Sequence, residues 1–103
     1  MTGAGDLHDR MRPLRERFVR RAIEDREAIG QAYAAGDEIA LRDICHRLAG
    51  NAGLFGFAEL SAGARRAEEA LLESAEPDAR AAAIEELLAL LAALPEAPET
   101  PPD

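Results

Sequence analysis

The chain contains no lysine and no tryptophan, one cysteine and one tyrosine, and aromatic residues make up only 4% of it. A lone Cys45 rules out an internal disulfide and a cysteine-rich metal site, so the fold must rest on packing. Scarce aromatics beside 23 alanines favour helices over a β-sandwich or barrel. The longest unbroken apolar run, Leu87 to Leu94, has eight residues, against the ~20 that span a bilayer. No basic and apolar leader opens the sequence, and a cytoplasmic location is expected. All 12 basic residues are arginine. Residues 1–66 hold 11 of them against 10 Asp and Glu, and residues 67–103 hold 1 against 10, which accounts for the net charge of −8. With that balance and no continuous basic stripe, neither nucleic acid nor membrane is an expected partner.

What is present suits one small soluble domain: 103 residues, 48% apolar and 31% charged. Four of the six prolines fall in 95–103 (PEAPETPPD), which lacks large apolar side chains and reads as a disordered tail. Residues 6–12 read as a short preliminary helix or coil. From Pro13 to about Ala35, Leu14, Phe18, Ala22, Ile29 and Tyr33 recur at helical spacing, with Val19 and Ile23 widening the stripe and Gly36 as the stop. Asp37 is placed to cap a second helix whose buried line is Leu41, Ile44, Leu48 and Phe55, flanked by Cys45 and Ala52, with Gly53 and Gly56 marking its end. A third helix, Phe57 to Ser74, aligns Leu60, Ala64, Ala67 and Leu71. A fourth, opened by Pro77 and Asp78 and closed by Pro95, aligns Ile84, Leu87, Leu88, Leu91 and Leu94. Four helices of roughly 17 to 23 residues, each with one apolar face, predict an antiparallel up-down four-helix bundle over residues 6–94.

The segment Asp43 to Phe57 carries the chemistry. At about 100° per residue, His46 lies about 160° from both Ile44 and Leu48, so a core-facing pair there turns the imidazole to water. Ile39, Arg42, Asp43, Ala49, Gly50 and Gly53 share its face. Glycine inside a helix costs about 0.5 to 1 kcal/mol relative to alanine. On a solvent face that cost has no return in stability, and its effect is bare backbone that a partner can approach. Close helix packing is the other use of such glycines, but it requires them to face inward. Ile39, Gly50, Gly53, Leu54 and Phe57 form the expected docking set. A neutral imidazole, with an ordinary pKa of about 6.5, is a nucleophile able to attack phosphorus. Arg42 and Arg47 are the cations within reach of a phosphoryl group on it, Arg42 better oriented because it shares the face. In-line positioning and neutralisation of the phosphoryl oxygens can come from a partner that brings its own Mg²⁺.

The run His46-Arg-Leu48-Ala-Gly50-Asn-Ala-Gly-Leu-Phe-Gly56, followed by Leu60 and a helix with Glu68-Glu69, resembles the histidine-containing phosphotransfer (HPt) domain over roughly residues 13–94. The resemblance implies that His46 is phosphorylated and shuttles the group between receiver-domain aspartates in a two-component relay. It also implies that Leu48 lies in the core and that Gly50 gives the receiver clearance. The partners it implies are receiver domains of a hybrid kinase or response regulator, with Mg²⁺ held by the receiver and no cofactor of the chain's own. Where the family has Lys, this chain has Ala49, so Arg42 or Arg47 stands in or the receiver supplies the charge.

Other readings are weaker. Cys45 and His46 lie about 100° apart on a helix with no orienting partner, and are not a nucleophilic pair. Asp43 and His46 fall short of the three or four ligands of a stable metal site, so none is expected. His8 is expected to be exposed and without function. Glu68, Glu69, Glu73, Glu85 and Glu86 read as solvated helix faces. No phosphate-cradling loop accompanies them, so neither an ATP site nor kinase activity is expected, and the resemblance implies a phosphotransfer intermediate instead. A non-catalytic helical adaptor and a phosphate sink for one receiver are the alternatives, and four self-sufficient helices favour a monomer.

Overall fold

Two glycines decide where the first two helices stop. Gly36 and Gly56 adopt φ of +71° and +88°, a region that residues bearing a Cβ rarely enter. At the first, Asp37 N–H donates to the Ala32 carbonyl (2.9 Å) and Gly36 N–H to that of Tyr33 (3.2 Å). At the second, Phe57 N–H donates to Ala52 (2.8 Å) and Gly56 N–H to Gly53 (3.2 Å). Both are Schellman closures. Asp37 then caps the next helix, its Oδ1 accepting from Ala40 N–H at 3.1 Å.

The computed structural model describes residues 3–73 and 76–94, with side chains from Arg10 onward. Its helices are α1 (Gly3–Ala35), α2 (Glu38–Leu54), α3 (Ala58–Leu72) and α4 (Pro77–Ala92), with no strand among the described residues. Each packs against the next and α4 returns to α1, which closes the four-helix bundle, with α2 and α3 the most intimate pair. Pro77 opens α4 at its first turn, as expected. The expected tail at 95–103, the closing Pro95, Ser74 and the side chain of His8 lie outside the described residues.

The helix lengths correct the sequence reading. α1 has 33 residues and the others 15 to 17. There is no break before Pro13, and residues 6–12 belong to α1. Proline costs an interior helix one hydrogen bond, but its fixed φ is helical, and at an exposed position the orphaned carbonyl returns to water. Phe18 packs on Phe55 and Phe57 at the α2–α3 connection, with ring centroids 5.7 and 5.3 Å away. Leu14 and Arg17, in the turn before Phe18, still line a hollow with Asn51, Leu54 and Phe55.

The core lines up Phe18, Val19, Ala22, Ile29 and Ala32 of α1 with Leu41, Cys45, Leu48, Ala49 and Ala52 of α2, Leu60, Ala64, Ala67 and Leu71 of α3, and Ile84, Leu87 and Leu91 of α4. Leu14, Ile23 and Tyr33, expected in the α1 stripe, are exposed. The true seam steps 18, 22, 25, 29, 32, alternating four and three residues, and its middle position is Asp25, itself buried. α2 is also rolled relative to expectation. Its buried line passes through Cys45 and Ala52, while Ile44 and Phe55 are only half-buried. Gly63 lets Leu90 of α4 pack directly on the α3 backbone.

Leu48 is 1% exposed at the centre of this core. Leu48→Ala is expected to lower unfolding free energy by about 2 to 5 kcal/mol through cavity formation, measured by urea denaturation; a negligible change would contradict the packing described.

Candidate functional site

The roll of α2 moves His46 from the far side of the helix to its shoulder. At about 100° per residue the imidazole lies about 60° from buried Ala49, on the α3 side. The side chain is still 78% exposed. Its Nδ1 stands 2.8 Å from Oε2 of Glu68 on α3. A carboxylate only accepts, so Nδ1 carries the proton and donates. In the neutral ring this fixes the tautomer and leaves Nε2, on the opposite edge, as the basic nitrogen.

Glu68 was read from the sequence as part of a solvated face, and the structure corrects that: its side chain is only 20% exposed and is engaged by His46. The signal was present in the spacing. His46 lies eleven residues before Phe57 and Glu68 eleven after it, so a helical hairpin centred on Phe57 sets them opposite each other. Glu86 is also engaged, by a two-point pair with Arg66 that ties α4 to α3 and holds its carboxyl below the usual range through hydrogen bonding.

His46 and Glu68 share an open surface hollow with Arg42, Asp43, Arg47 and Leu72. Arg42 lines it without a carboxylate partner among the described residues. Arg47 is differently employed. Its Nη1 and Nη2 donate to Oδ2 and Oδ1 of Asp25, each at 3.0 Å, and Arg21 adds a 3.6 Å contact to the same carboxylate. Arg47, expected to offer its charge to a phosphoryl group on His46, thus lines the hollow with its guanidinium already bound at two points. A carboxylate only 4% exposed must be paired, and Arg47 pairs it. The hydrogen bond to Asp25 is also the main reason that the Arg47 pKa is raised.

Ala49 does not line the hollow. It is 5% exposed, and its carbonyl accepts from the Ser61 hydroxyl at 2.7 Å. Expected beside the phosphoryl group, it lies instead under α3, because the roll that lifts His46 to the shoulder turns its neighbour inward. The two glycines divide by role. A Cβ on Gly50 would meet nothing within 4 Å, whereas one on Gly53 would come within 3.3 Å of Ser61 Oγ. Gly50 is bare surface, and Gly53, expected as a landing surface and a helix-end marker, lies inside α2 and gives Ser61 close access to its backbone. Ile39 and Leu54 are 67% and 69% exposed and available for docking. Phe57 is not, because its half-buried ring stacks on Phe18.

Cys45, next to His46 in sequence, is fully buried. Burial, and secondarily the charge of Glu68, push its thiol up to about 11 from 9.0. The thiol form is then favoured by folding up to pH 9 and this contribution is lost as pH rises towards 11. Iodoacetamide is expected to spare Cys45 in the native protein at pH 8 and alkylate it after denaturation; equal rates in the two states would contradict its burial.

The family model described as Hpt domain matches residues 13–97, from Pro13 through all of α2, α3 and α4. No curated protein and no solved structure compared with the chain gives a significant match. With that family match spanning the bundle and the exposed histidine on its second helix, the chain belongs to the Hpt domain family, whose activity is histidine phosphotransfer in two-component signalling.

Proposed function

We propose that this protein relays a phosphoryl group between receiver-domain aspartates through Nε2 of His46. The observation that carries the reading is a ring 78% exposed whose Nδ1 is held at 2.8 Å by Glu68. In the first half-reaction the Nε2 lone pair attacks the phosphorus of the receiver's aspartyl phosphate. The bond from phosphorus to the aspartate oxygen breaks, and that carboxylate leaves with the electron pair. Nδ1 keeps its hydrogen, so the product is an N-phosphoryl imidazolium. Transfer to a second receiver is the reverse step with a different carboxylate.

Glu68 acts on charge. The ring is neutral before attack and positive after it, and a carboxylate already hydrogen-bonded to Nδ1 stabilises that developing charge without reorganising. Arg42 is the cation of this chain assigned to the phosphoryl oxygens. The remaining neutralisation, and the Mg²⁺, belong to the receiver. Gly50 lets the receiver's backbone come close to Nε2, with Ile39 and Leu54 as the apolar contacts around it. The setting that fits these partners is the cytosol, and the form proposed is a monomer.

His46→Gln is expected to leave helical content and melting temperature unchanged and to abolish labelling by a receiver charged with acetyl phosphate. Acid-labile label appearing on another residue would overturn the assignment, and receiver binding without label on the unaltered protein would make it an adaptor. Glu68→Gln replaces a charge-assisted hydrogen bond by a neutral one and is expected to slow transfer about tenfold, read by rapid-quench labelling. An unchanged rate would remove Glu68 from the mechanism.

A further inference from the structure

Asp25 is the one carboxylate in the α1 seam, 4% exposed between Ala22 and Ile29, and nothing in the relay step uses it directly. Stability does not account for it: apolar groups of similar volume in place of a buried ion pair are often neutral or stabilising. What the carboxylate does is hold Arg47. That guanidinium is bonded at both nitrogens, yet its residue is the chain neighbour of His46 and lines the same hollow. Arginine is the side chain best shaped to bind phosphoryl oxygens at two points. Released from Asp25, it would be a second arginine beside Arg42 free to bind an anion in the His46 hollow.

We propose that Asp25 is a positioning residue that withholds Arg47 from the phosphorylated imidazole and so keeps the phosphoryl group easy to pass on. This rests on His46 being the phosphoacceptor. Any cation that binds the phosphoryl oxygens more tightly on His46 than during transfer deepens the intermediate and slows its departure. The other residues follow the same pattern. Ala49 carries no charge and is buried, the carboxylates of Glu68 and Asp43 border the hollow, and of its two arginines Arg42 alone has no carboxylate partner among the described residues. Asp25 sits on a different helix from the nucleophile, and acts on it solely through where it holds Arg47.

The test uses the full chain and potassium phosphoramidate, which needs no receiver and so is blind to docking. Nε2 attacks phosphorus, the phosphorus–nitrogen bond breaks and ammonia leaves. At fixed ammonia the ratio of phosphorylated to free His46 is read by phosphorus NMR, with His46→Gln as the blank. Asp25→Asn is expected to raise that ratio about fivefold, the effect of one arginine–phosphate contact in a partly exposed site. Arg47→Gln is expected to leave the ratio at the unaltered value, because Arg47 does not reach the phosphoryl group while Asp25 holds it. The double variant Asp25→Asn with Arg47→Gln, in which two neutral amides replace the ion pair, is expected to return to that value.

A structural role alone would lower the melting temperature of these variants without moving the ratio, and that result overturns the proposal. So does a ratio that stays raised in the double variant, since the effect then bypasses Arg47. A lowered ratio in Arg47→Gln overturns it too, because Arg47 would already be serving the phosphoryl group. Absence of label on His46 in the unaltered protein defeats the phosphoacceptor reading itself, and this proposal with it.

Discussion

The register between α2 and α3 is the constraint on which the site depends. The Ser61 hydroxyl reaches the Ala49 carbonyl close beside Gly53, where a Cβ would stand a tight 3.3 Å from the hydroxyl oxygen. That contact lies nearer the Phe57 turn than His46 does, and the antiparallel pair carries the register outward from it. Glu68 then arrives beside Nδ1. A slip of one residue along α3 changes the direction of that side chain by about 100° and leaves the imidazole free to take either tautomer. The nucleophile is thus prepared by helix packing, with one hydroxyl and one glycine setting the register.

The same packing separates adjacent residues into opposite electrostatic settings. Cys45 is fully buried with its thiol pushed up to about 11, so it does not compete as a nucleophile. His46, one position on, is exposed. Arg47, one further, is turned to α1 and bound by Asp25. Three consecutive residues therefore face the core, the solvent and the neighbouring helix. About 100° of rotation per residue makes this division possible on a helix.

Much of this was legible in the residues, and the failures have physical causes. The bundle followed from four apolar stripes and from Gly36, Asp37 and Pro77, because caps and stops are local and sequence records local physics directly. The exposure of His46 followed from Leu48. The roll of α2 is not legible from side-chain size: Ile44 is larger than Cys45, but the tight approach of α3 at Gly53 favours the smaller side chains at 45, 49 and 52 as the inward line. Missing that roll hides Glu68 and misplaces Ala49. The length of α1 was missed because proline reads as a boundary, although an exposed helical proline loses one hydrogen bond that water replaces. Asp25 was the most readable omission. A lone charge at a seam position calls for a partner, and the structure supplies it from Arg21 on the same helix and Arg47 on α2.

The openness of the hollow bears on where the catalytic power resides. Electrostatic stabilisation of a transferring phosphoryl group is strong only where water is excluded, and a ring 78% exposed has no such shelter by itself. In the proposed relay the chain supplies a nucleophile with its tautomer fixed and a carboxylate to meet the ring's positive charge, while most of the charge on the phosphoryl side is left to the partner. In that proposal, a receiver seated over Gly50, with Ile39 and Leu54 at its margins, is what excludes water from the site. Selectivity between partners therefore rests on the shape and apolar contacts of that surface, because an exposed imidazole alone distinguishes poorly between one aspartyl phosphate and another.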